Sequence, residues 1–561
     1  MKGPSRTSGG DKPDSRWANE RFFAIALLVA YVVIRLVAWH QVRLLEDFDG
    51  LGYLEEARAW RTFDYKQIAQ LSPDSTPLYP LAIALVSRLG VDLEPAARAV
   101  SFAFSLLLFQ IVFEIGRRLV GWLGACTALL LMTLNSPLVG LSIAVLSEPA
   151  HIAITYLGFW LFYRGAANPR PGQAALCGLV FALGFLARTE GLLWLILLPI
   201  LQVLHWLCTK RTAYSARRLA VWVAAFGVTF AVVALPQVVS VSSKLGFPAI
   251  NGRQVWFAAM NSHDARPAEQ KAYGLDYSST QTNLVYLRKH PAEAKRLGGA
   301  KKDQLRDTVA VVQRNLEQLL RYGLRDLLGW PVVLALAWGL IAFARSRASF
   351  DILFVLLVAG GLSLGPLLYN IVLRHVAILI PLALLIAAYG VVDVTERLAR
   401  KVNVAEVWLL IAAVGPLLLG LTAWRQHLQL AALLVHPPRE NGDYRPEGLV
   451  APARVVRAVA AQLAHPVRIC ATRDYLAELA GASFVPLPFS SYPELLHYLD
   501  ANQADLLFLE DGLLQSFPFL AQMRNVPNSA SPPRLKLLQR SPGVNGADYE
   551  LYELTRVGES D

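Results

Sequence analysis

Apolar runs long enough to cross a bilayer alternate along this chain with short polar connections. The first runs from Phe22 to Trp39 and predicts a span at 22–40. Further spans are predicted at 98–116, 119–138, 148–163, 173–188, 190–208, 219–241, 327–344, 351–370, 375–393 and 405–424. Each comes near the ~20 apolar residues that a ~30 Å hydrocarbon core requires. The pattern therefore predicts about 11 transmembrane helices. Leu78 to Val86 breaks it. At ~1.5 Å per residue that stretch covers less than half the core. It reads as an interfacial or re-entrant helix, which leaves residues 41–97 on the outer side. The alternative, a short tilted span, would invert everything downstream.

The polar stretches add organisation. Residues 1–21 are polar and basic, with Lys2, Arg6, Lys12, Arg16 and Arg21, and are expected to be disordered. The run after them lacks a small-residue cleavage site and is followed by His40-Gln41-Val42-Arg43, so it reads as an uncleaved span with a cytoplasmic N-terminus. The outer loop from Glu46 to Tyr79 concentrates Glu46, Asp47, Asp49, Glu55, Glu56 and Asp64 beside the membrane. Asp49-Gly50 reads as a turn. Behind it Tyr53, Leu54, Ala57 and Trp60 recur at helical spacing, as in an amphipathic helix lying on a bilayer surface. A long outer segment from Ser242 to Asp326 carries a helical stripe of Leu305, Val309, Val312, Leu316, Leu319 and Leu320. A lid, an acceptor-binding element and a packed subdomain all suit it.

After Trp424 the composition turns soluble. Pro437-Pro438 and Asn441-Gly442 mark a linker, and residues 437–561 read as a small C-terminal α/β domain. Val467 to Ala471 and Asp505 to Leu509 suit buried strands, Glu494 to Leu499 is helical in pattern, and Leu535 to Gln539 with Tyr549 to Leu554 form a hairpin about Pro542 to Gly546.

Composition supports a multipass membrane protein. The chain has 561 residues, 55% of them hydrophobic, with a mean hydropathy of +0.40. The net charge of +11 would suggest nucleic acid for a soluble protein. Here the basic residues cluster in short loops: Arg117-Arg118, Arg164 with Arg170, Lys210-Arg211 with Arg217-Arg218, Arg345 with Arg347, and Arg397 with Arg400-Lys401. The predicted spans put all five clusters on the cytoplasmic side, as the positive-inside rule asks. The C-terminal domain is then outside, and no nucleic-acid partner is expected. Four cysteines, three of them at apolar segments, give neither a disulfide framework nor a cysteine metal site.

Four polar features fall at outer ends of the spans. They are the Asp49 loop, Ser147-Glu148-Pro149, the stretch Arg188-Thr189-Glu190, and Arg374-His375. Ionisable residues at membrane depth are costly and usually functional. Each also has a plainer reading. Glu148 suits the first turn of a helix, and Arg188 and Arg374 suit snorkelling to the interface. Taken together, two carboxylates and two arginines on one face suit transfer of a sugar from a polyprenyl phosphate. Arginines hold the phosphate and offset its growing charge. One carboxylate takes the proton of the incoming hydroxyl. A hydrolytic glycosidase would need an acid as well.

The stretches DFDGLGYLEEARAW, STPLYPLAIALVSRLG, LSEPAHI, GFLARTEGLLWL and LRHVAILIPLALLIAAYG, in that order over residues 20–400, resemble the GT-C multipass glycosyltransferases. The nearer branch holds the protein O-mannosyltransferases and the lipid A aminoarabinose transferase. The resemblance implies a GT-C-like α-helical polytopic fold with a soluble extracytoplasmic C-terminal domain. It implies Asp49 and Glu148 as the catalytic pair of loops, with Asp49 the base and Asp47 a nearby competitor. Arg188 and Arg374 are implied as phosphate contacts, with Glu190 and His375 beside them; His375 stands where many relatives carry Tyr. Tyr53, Pro77 and Tyr79 match the loop framework, and Tyr53 and Tyr79 are taken with the substrate side of the site. Relatives often carry a second acid after the Asp; here it is Gly50.

The expected reaction moves a sugar from a polyprenyl-phosphate donor to a protein, lipid or glycan acceptor on the outer face of a bacterial inner membrane. No cofactor is expected. A divalent metal on Asp47, Asp49 and Glu148 remains chemically open. The rival readings are a lipid or solute transporter and an inactive GT-C-like protein.

Overall fold

The computed structural model describes residues 13–41, 47–71, 75–208, 214–246, 248–250, 304–320, 324–347, 349–368, 373–399, 446–471, 475–488, 492–510, 535–542 and 548–554. Helix α1 (Pro13–Gln41) contains the first apolar run and extends it back into the basic segment expected to be disordered. Next come α2 (Asp47–Thr62), α3 (Tyr65–Gln70) and α4 (Leu78–Ser87). Long helices follow: α5 (Leu93–Leu119), α6 (Gly121–Leu134), α7 (Ser136–Ile143), α8 (Glu148–Gly165), α9 (Pro171–Ala187), α10 (Trp194–Cys208) and α11 (Ala216–Leu245). Beyond them lie Gln304–Gln318, Trp330–Ser346, Ser349–Leu368 and Ile380–Ala399.

Helical residues cover most of ten predicted spans, one of which, 119–138, is broken; the eleventh, 405–424, lies outside the described residues. Among the described residues six helices are long and apolar enough to cross a membrane, or seven if the bent pair α6 and α7 counts as one. Helices α9 and Trp330–Ser346 are apolar but shorter. Helix α4, at 10 residues, is too short to span on its own.

Two expectations for the first outer loop are corrected. Asp49-Gly50 is not a turn but part of the first turns of α2. The apolar face of α2 does not lie on lipid either. Tyr53, Leu54 and Ala57 are buried with Tyr79 and Ile83 of α4, Ala96, Ala97 and Val100 of α5, and Val145. Gly50 explains how α2 gets so close: a Cβ there would stand 3.1 Å from the Val145 carbonyl oxygen. Protein backbone has taken the place of the bilayer.

The expected span 119–138 is broken. Helices α6 and α7 meet at Asn135 with a bend of 66°. Asn135 caps α7 by accepting from the Leu138 amide at 3.1 Å, and Pro137 starts the new helix. The carbonyls left over at the end of α6 are met by Arg35 of α1, whose guanidinium donates to Met132 at 3.4 Å and Thr133 at 3.5 Å. An apolar run therefore breaks without leaving its backbone bare in the membrane.

An aromatic core of Phe159, Phe162, Phe181, Trp222, Phe226 and Phe354 joins α8, α9, α11 and Ser349–Leu368. Helices Trp330–Ser346 and Ile380–Ala399 touch through Gly339 and Gly390, where a Cβ on either would overlap the facing backbone.

Residues 446–554 build a five-stranded sheet in the order β2 (Ser483–Pro486), β1 (Arg468–Ala471), β3 (Leu506–Glu510), β5 (Asp548–Leu554), β4 (Leu535–Pro542). The first three strands are parallel and the last two antiparallel. Ile469 and Phe508 pack beneath Pro446–Ala460 and Tyr475–Ala480, while Cys470 and Leu507 face Tyr492–Ala501. The period-two alternation of the strands thus feeds two cores.

Candidate functional site

Helix α8 begins at Glu148, with Ser147 as its cap residue and Pro149 in its first turn. The plainer expectation for Glu148, a first-turn acid, holds as geometry, but its carboxylate has further work. Glu148 is buried, and Oε1 accepts from Arg188 Nη1 at 2.7 Å. Arg188 closes α9, and its other amino group donates to Glu190 Oε1 at 3.0 Å. Arg374 Nε lies 3.6 Å and His375 Nε2 3.8 Å from the same Glu148 oxygen. Three expected site residues, Arg188, Arg374 and His375, therefore meet at the Glu148 carboxylate, and Glu190 joins them through Arg188.

They are not equivalent. The side chains of Glu148 and Arg188 are 4% and 5% exposed, those of Arg374 and His375 20% and 22%. Arg188 is sealed in and divided between two carboxylates. Arg374 and His375 face a cleft enclosing about 770 Å³, open solvent included. Glu148, Arg188, Glu190 and His151 line it too. Glu148 Oε2 is buried with no hydrogen-bond partner among the described residues.

The framework around the cluster is equally specific. The Tyr53 hydroxyl pairs with Ser147 Oγ at 2.8 Å, fixing α2 beside Glu148. Tyr79 donates to the Ala97 carbonyl at 3.3 Å, shares a 2.8 Å hydrogen bond with Ser101, and meets the Tyr53 ring edge-on. Neither tyrosine lines the cleft. Both hold α2 and α4 against α5 and the Ser147 loop. Thr76 donates to the Ala187 carbonyl at 2.9 Å, holding the start of α4 against Arg188.

Asp49 lies one turn before Tyr53 in α2, next to Gly50 and its contact with Val145. The backbone of the expected base thus approaches the Glu148 loop. The side chains of Asp47 and Asp49 lie outside the described residues. Among the described residues no three His, Cys, Asp or Glu side chains form a metal-sized group. Glu148 is already held by guanidinium, which suits a dication poorly.

Several lining residues were not singled out by the sequence. His151, one turn after Glu148, is buried with Nδ1 3.1 Å from the Gly184 carbonyl oxygen. Its place three residues after Glu148 in a helix was the available signal. Gly361, Gly365 and Pro366 of Ser349–Leu368 line the opposite wall. A Cβ on Gly365 would stand 3.1 Å from Cγ of Glu190. Asn315 of the amphipathic helix Gln304–Gln318 donates to the Leu367 carbonyl at 2.9 Å, which ties that helix beside this wall.

Residues 74–239 match a family model described as dolichyl-phosphate-mannose-protein mannosyltransferase. The matched stretch includes Tyr79, Glu148, Arg188 and Glu190. Among solved structures, the archaeal oligosaccharyltransferase AglB from Archaeoglobus fulgidus, in complex with an inhibitory peptide and a dolichol-phosphate, is similar with a TM-score of 0.57 at 10% identity. That match covers 88% of this chain and 70% of the other. ArnT from Cupriavidus metallidurans is similar in the apo state, with a TM-score of 0.52 at 14% identity, over 94% of this chain and 98% of that one. The chain has the GT-C glycosyltransferase fold. ArnT bound to undecaprenyl phosphate is similar too, with a TM-score of 0.51 at 12% identity, over 94% and 97% of the two chains. No curated protein matches the chain by sequence. The helical bundle is that of a multipass membrane protein, and the Glu148 cluster lies where the start of α8, the end of α9 and the residues just before Ile380–Ala399 converge.

Proposed function

We propose that the chain transfers a glycosyl group from a polyprenyl-phosphate donor to a hydroxyl acceptor on the outer face of the membrane, with inversion. The observation that carries this reading is the Glu148 cluster. It pairs a sealed Arg188 with half-buried Arg374 and His375 on an open cleft at the ends of apolar helices. Residues 74–239 match a mannosyltransferase family model, and the AglB and ArnT structures were solved with dolichol-phosphate and undecaprenyl phosphate, which supports a lipid-phosphate donor.

Asp49 takes the proton from the acceptor hydroxyl as its oxygen attacks the anomeric carbon. The bond from that carbon to the phosphate oxygen breaks, and the electron pair leaves with the phosphate. Arg374 and His375 face the cleft and offset that charge. No general acid is needed, since phosphate leaves readily. Arg188 neutralises Glu148 and Glu190 and fixes their carboxylates, and through Glu148 it holds Arg374 and His375 toward the donor. Glu148 is left with one oxygen, Oε2, for the acceptor or the sugar.

The outer placement of the cleft follows from charge. Glu148 opens α8 and Arg164 closes it; Arg188 caps the end of α9 away from Arg170; Arg374 precedes Ile380–Ala399, which ends near Arg397. The cleft and the basic clusters thus lie at opposite ends of the same helices, and basic ends stay in the cytoplasm. A span at 405–424, as the sequence predicts, would put the C-terminal α/β unit on the outer side as well.

The test is transfer by purified protein in detergent, with a panel of radiolabelled polyprenyl-phosphate sugars and a membrane extract as acceptor. Label passing from at least one donor to an acceptor is expected. Binding or transport of the lipid with no transfer from any donor would contradict the reading.

A further inference from the structure

A second cleft lies at the far end of α9 from the Glu148 cluster. The helix has 17 residues, so about 25 Å of helix separates the two. Asn168, Arg170, Ser215, Arg217, Arg218 and Val221 are among its lining residues, and it encloses about 1290 Å³, open solvent included. Arg170, Arg217 and Arg218 are exposed, and none of the three pairs with a carboxylate among the described residues. Some arginines elsewhere are held by carboxylates, as Arg98 is by Glu94, Arg397 by Asp393 and Arg540 by Glu550. Three cations without a carboxylate partner among the described residues, one at the start of α9 and two in the first turn of α11, surround one concavity and make a site for an anion.

The surroundings select a lipid over a free ion. Val221 lines the cleft and is 43% exposed. Below it on α11, Val228, Val232, Leu235 and Val239 are exposed as well. Their spacing of seven, four, three and four residues keeps them on one helix face. An apolar track therefore leaves the cationic cleft along a helix long enough to cross the membrane. A free phosphate has no use for that track, whereas an acyl chain does. We infer that this cleft binds the headgroup phosphate of an anionic phospholipid, with an acyl chain along α11. The basic clusters of the loops already account for membrane orientation. The cleft adds a defined place where one lipid sits, and its occupancy would brace the tightly packed α9–α11 pair, whose other end carries Arg188.

The test is native mass spectrometry of the full-length protein released from detergent. The probes are phosphatidylglycerol, phosphatidylcholine and, separately, inorganic phosphate. The variant Arg170→Gln/Arg217→Gln/Arg218→Gln is compared with Arg117→Gln/Arg118→Gln/Arg345→Gln, which removes the same charge elsewhere on the basic side. Size-exclusion profiles check that both fold. Phosphatidylglycerol should be retained in preference to phosphatidylcholine, and its affinity should fall about tenfold or more in the cleft variant and much less in the control. An equal fall in both variants, or none in either, would overturn the site. Displacement of phosphatidylglycerol by millimolar inorganic phosphate would overturn the lipid in favour of a free anion.

Discussion

Arg188 and Arg374 show how two arginines in one cluster come to do different things. Both read the same way in the sequence, as cations at outer span ends. Packing separates them, because Arg188 closes α9 between Glu148 and Glu190 while Arg374 reaches the edge of the cleft. Replacing Arg188 with Met takes the closest cation from buried Glu148 and partly buried Glu190, which costs about 3–5 kcal/mol. The apparent melting temperature in detergent should drop by several degrees. Arg374→Gln, at a half-exposed position, should leave melting nearly unchanged and weaken polyprenyl-phosphate binding instead. A similar loss of stability in both variants would contradict the division of roles. The same pairing bears on metals. With Glu148 held by Arg188, transfer is expected to persist in EDTA; activity lost in EDTA and restored by magnesium or manganese would place a cation in the site. The identities of Glu148, Arg188, Glu190, Arg374 and His375 were legible because charged residues at span ends stand out. Their division of labour was not, since it depends on which side chain the surrounding helices seal. The hydrogen bonds of the Tyr79 hydroxyl to α5 were hidden for the same reason.

At the scale of elements, long apolar runs located the long helices, and the short apolar run from Val467 to Ala471 located a strand of the C-terminal sheet. Local signals failed where tertiary contacts outweighed them. Asp49-Gly50 has turn chemistry, yet it is helical because Gly50 lets α2 pack onto the Val145 carbonyl. The bend at Asn135 was hidden inside an apolar run, since the group that makes it tolerable, Arg35, lies about a hundred residues earlier in the chain. Gly50 yields a direct prediction. Gly50→Ala puts a methyl 3.1 Å from a backbone oxygen, so α2 must shift away and take Asp49 with it. A displacement of that kind should lower kcat by about 10- to 100-fold while expression and melting stay close to wild type. Unchanged turnover in Gly50→Ala would mean that the close approach of α2 does not position the base.

For the whole molecule, the arrangement is a bundle with its chemistry at one end and its basic loops at the other. Orientation can be read through the cysteines. Cys126, Cys177 and Cys470 are buried, while Cys208, at the end of α10 on the basic side, is exposed. Burial also pushes the Cys470 thiol up, so less of it is thiolate at neutral pH and its alkylation is slow while the sheet is folded. A membrane-impermeant maleimide should therefore label Cys208 in inside-out vesicles and spare it in right-side-out ones. The reverse pattern would turn the molecule over and put the Glu148 cleft in the cytoplasm. The count of membrane crossings was the least legible feature at this scale. Apolar length in the sequence does not separate the long helices from shorter apolar ones such as α9 or Trp330–Ser346.

The central claim is that α2 brings a single carboxylate, Asp49, to a donor held at the Glu148 cluster. The most direct measurement compares single-turnover transfer from a labelled polyprenyl-phosphate sugar by wild type and by Asp49→Asn, alongside binding of the same donor. The account predicts that Asp49→Asn binds the donor as wild type does and transfers its sugar at least about 100-fold more slowly, in line with the loss of a general base. Transfer by Asp49→Asn at near the wild-type rate, with binding intact, would contradict it.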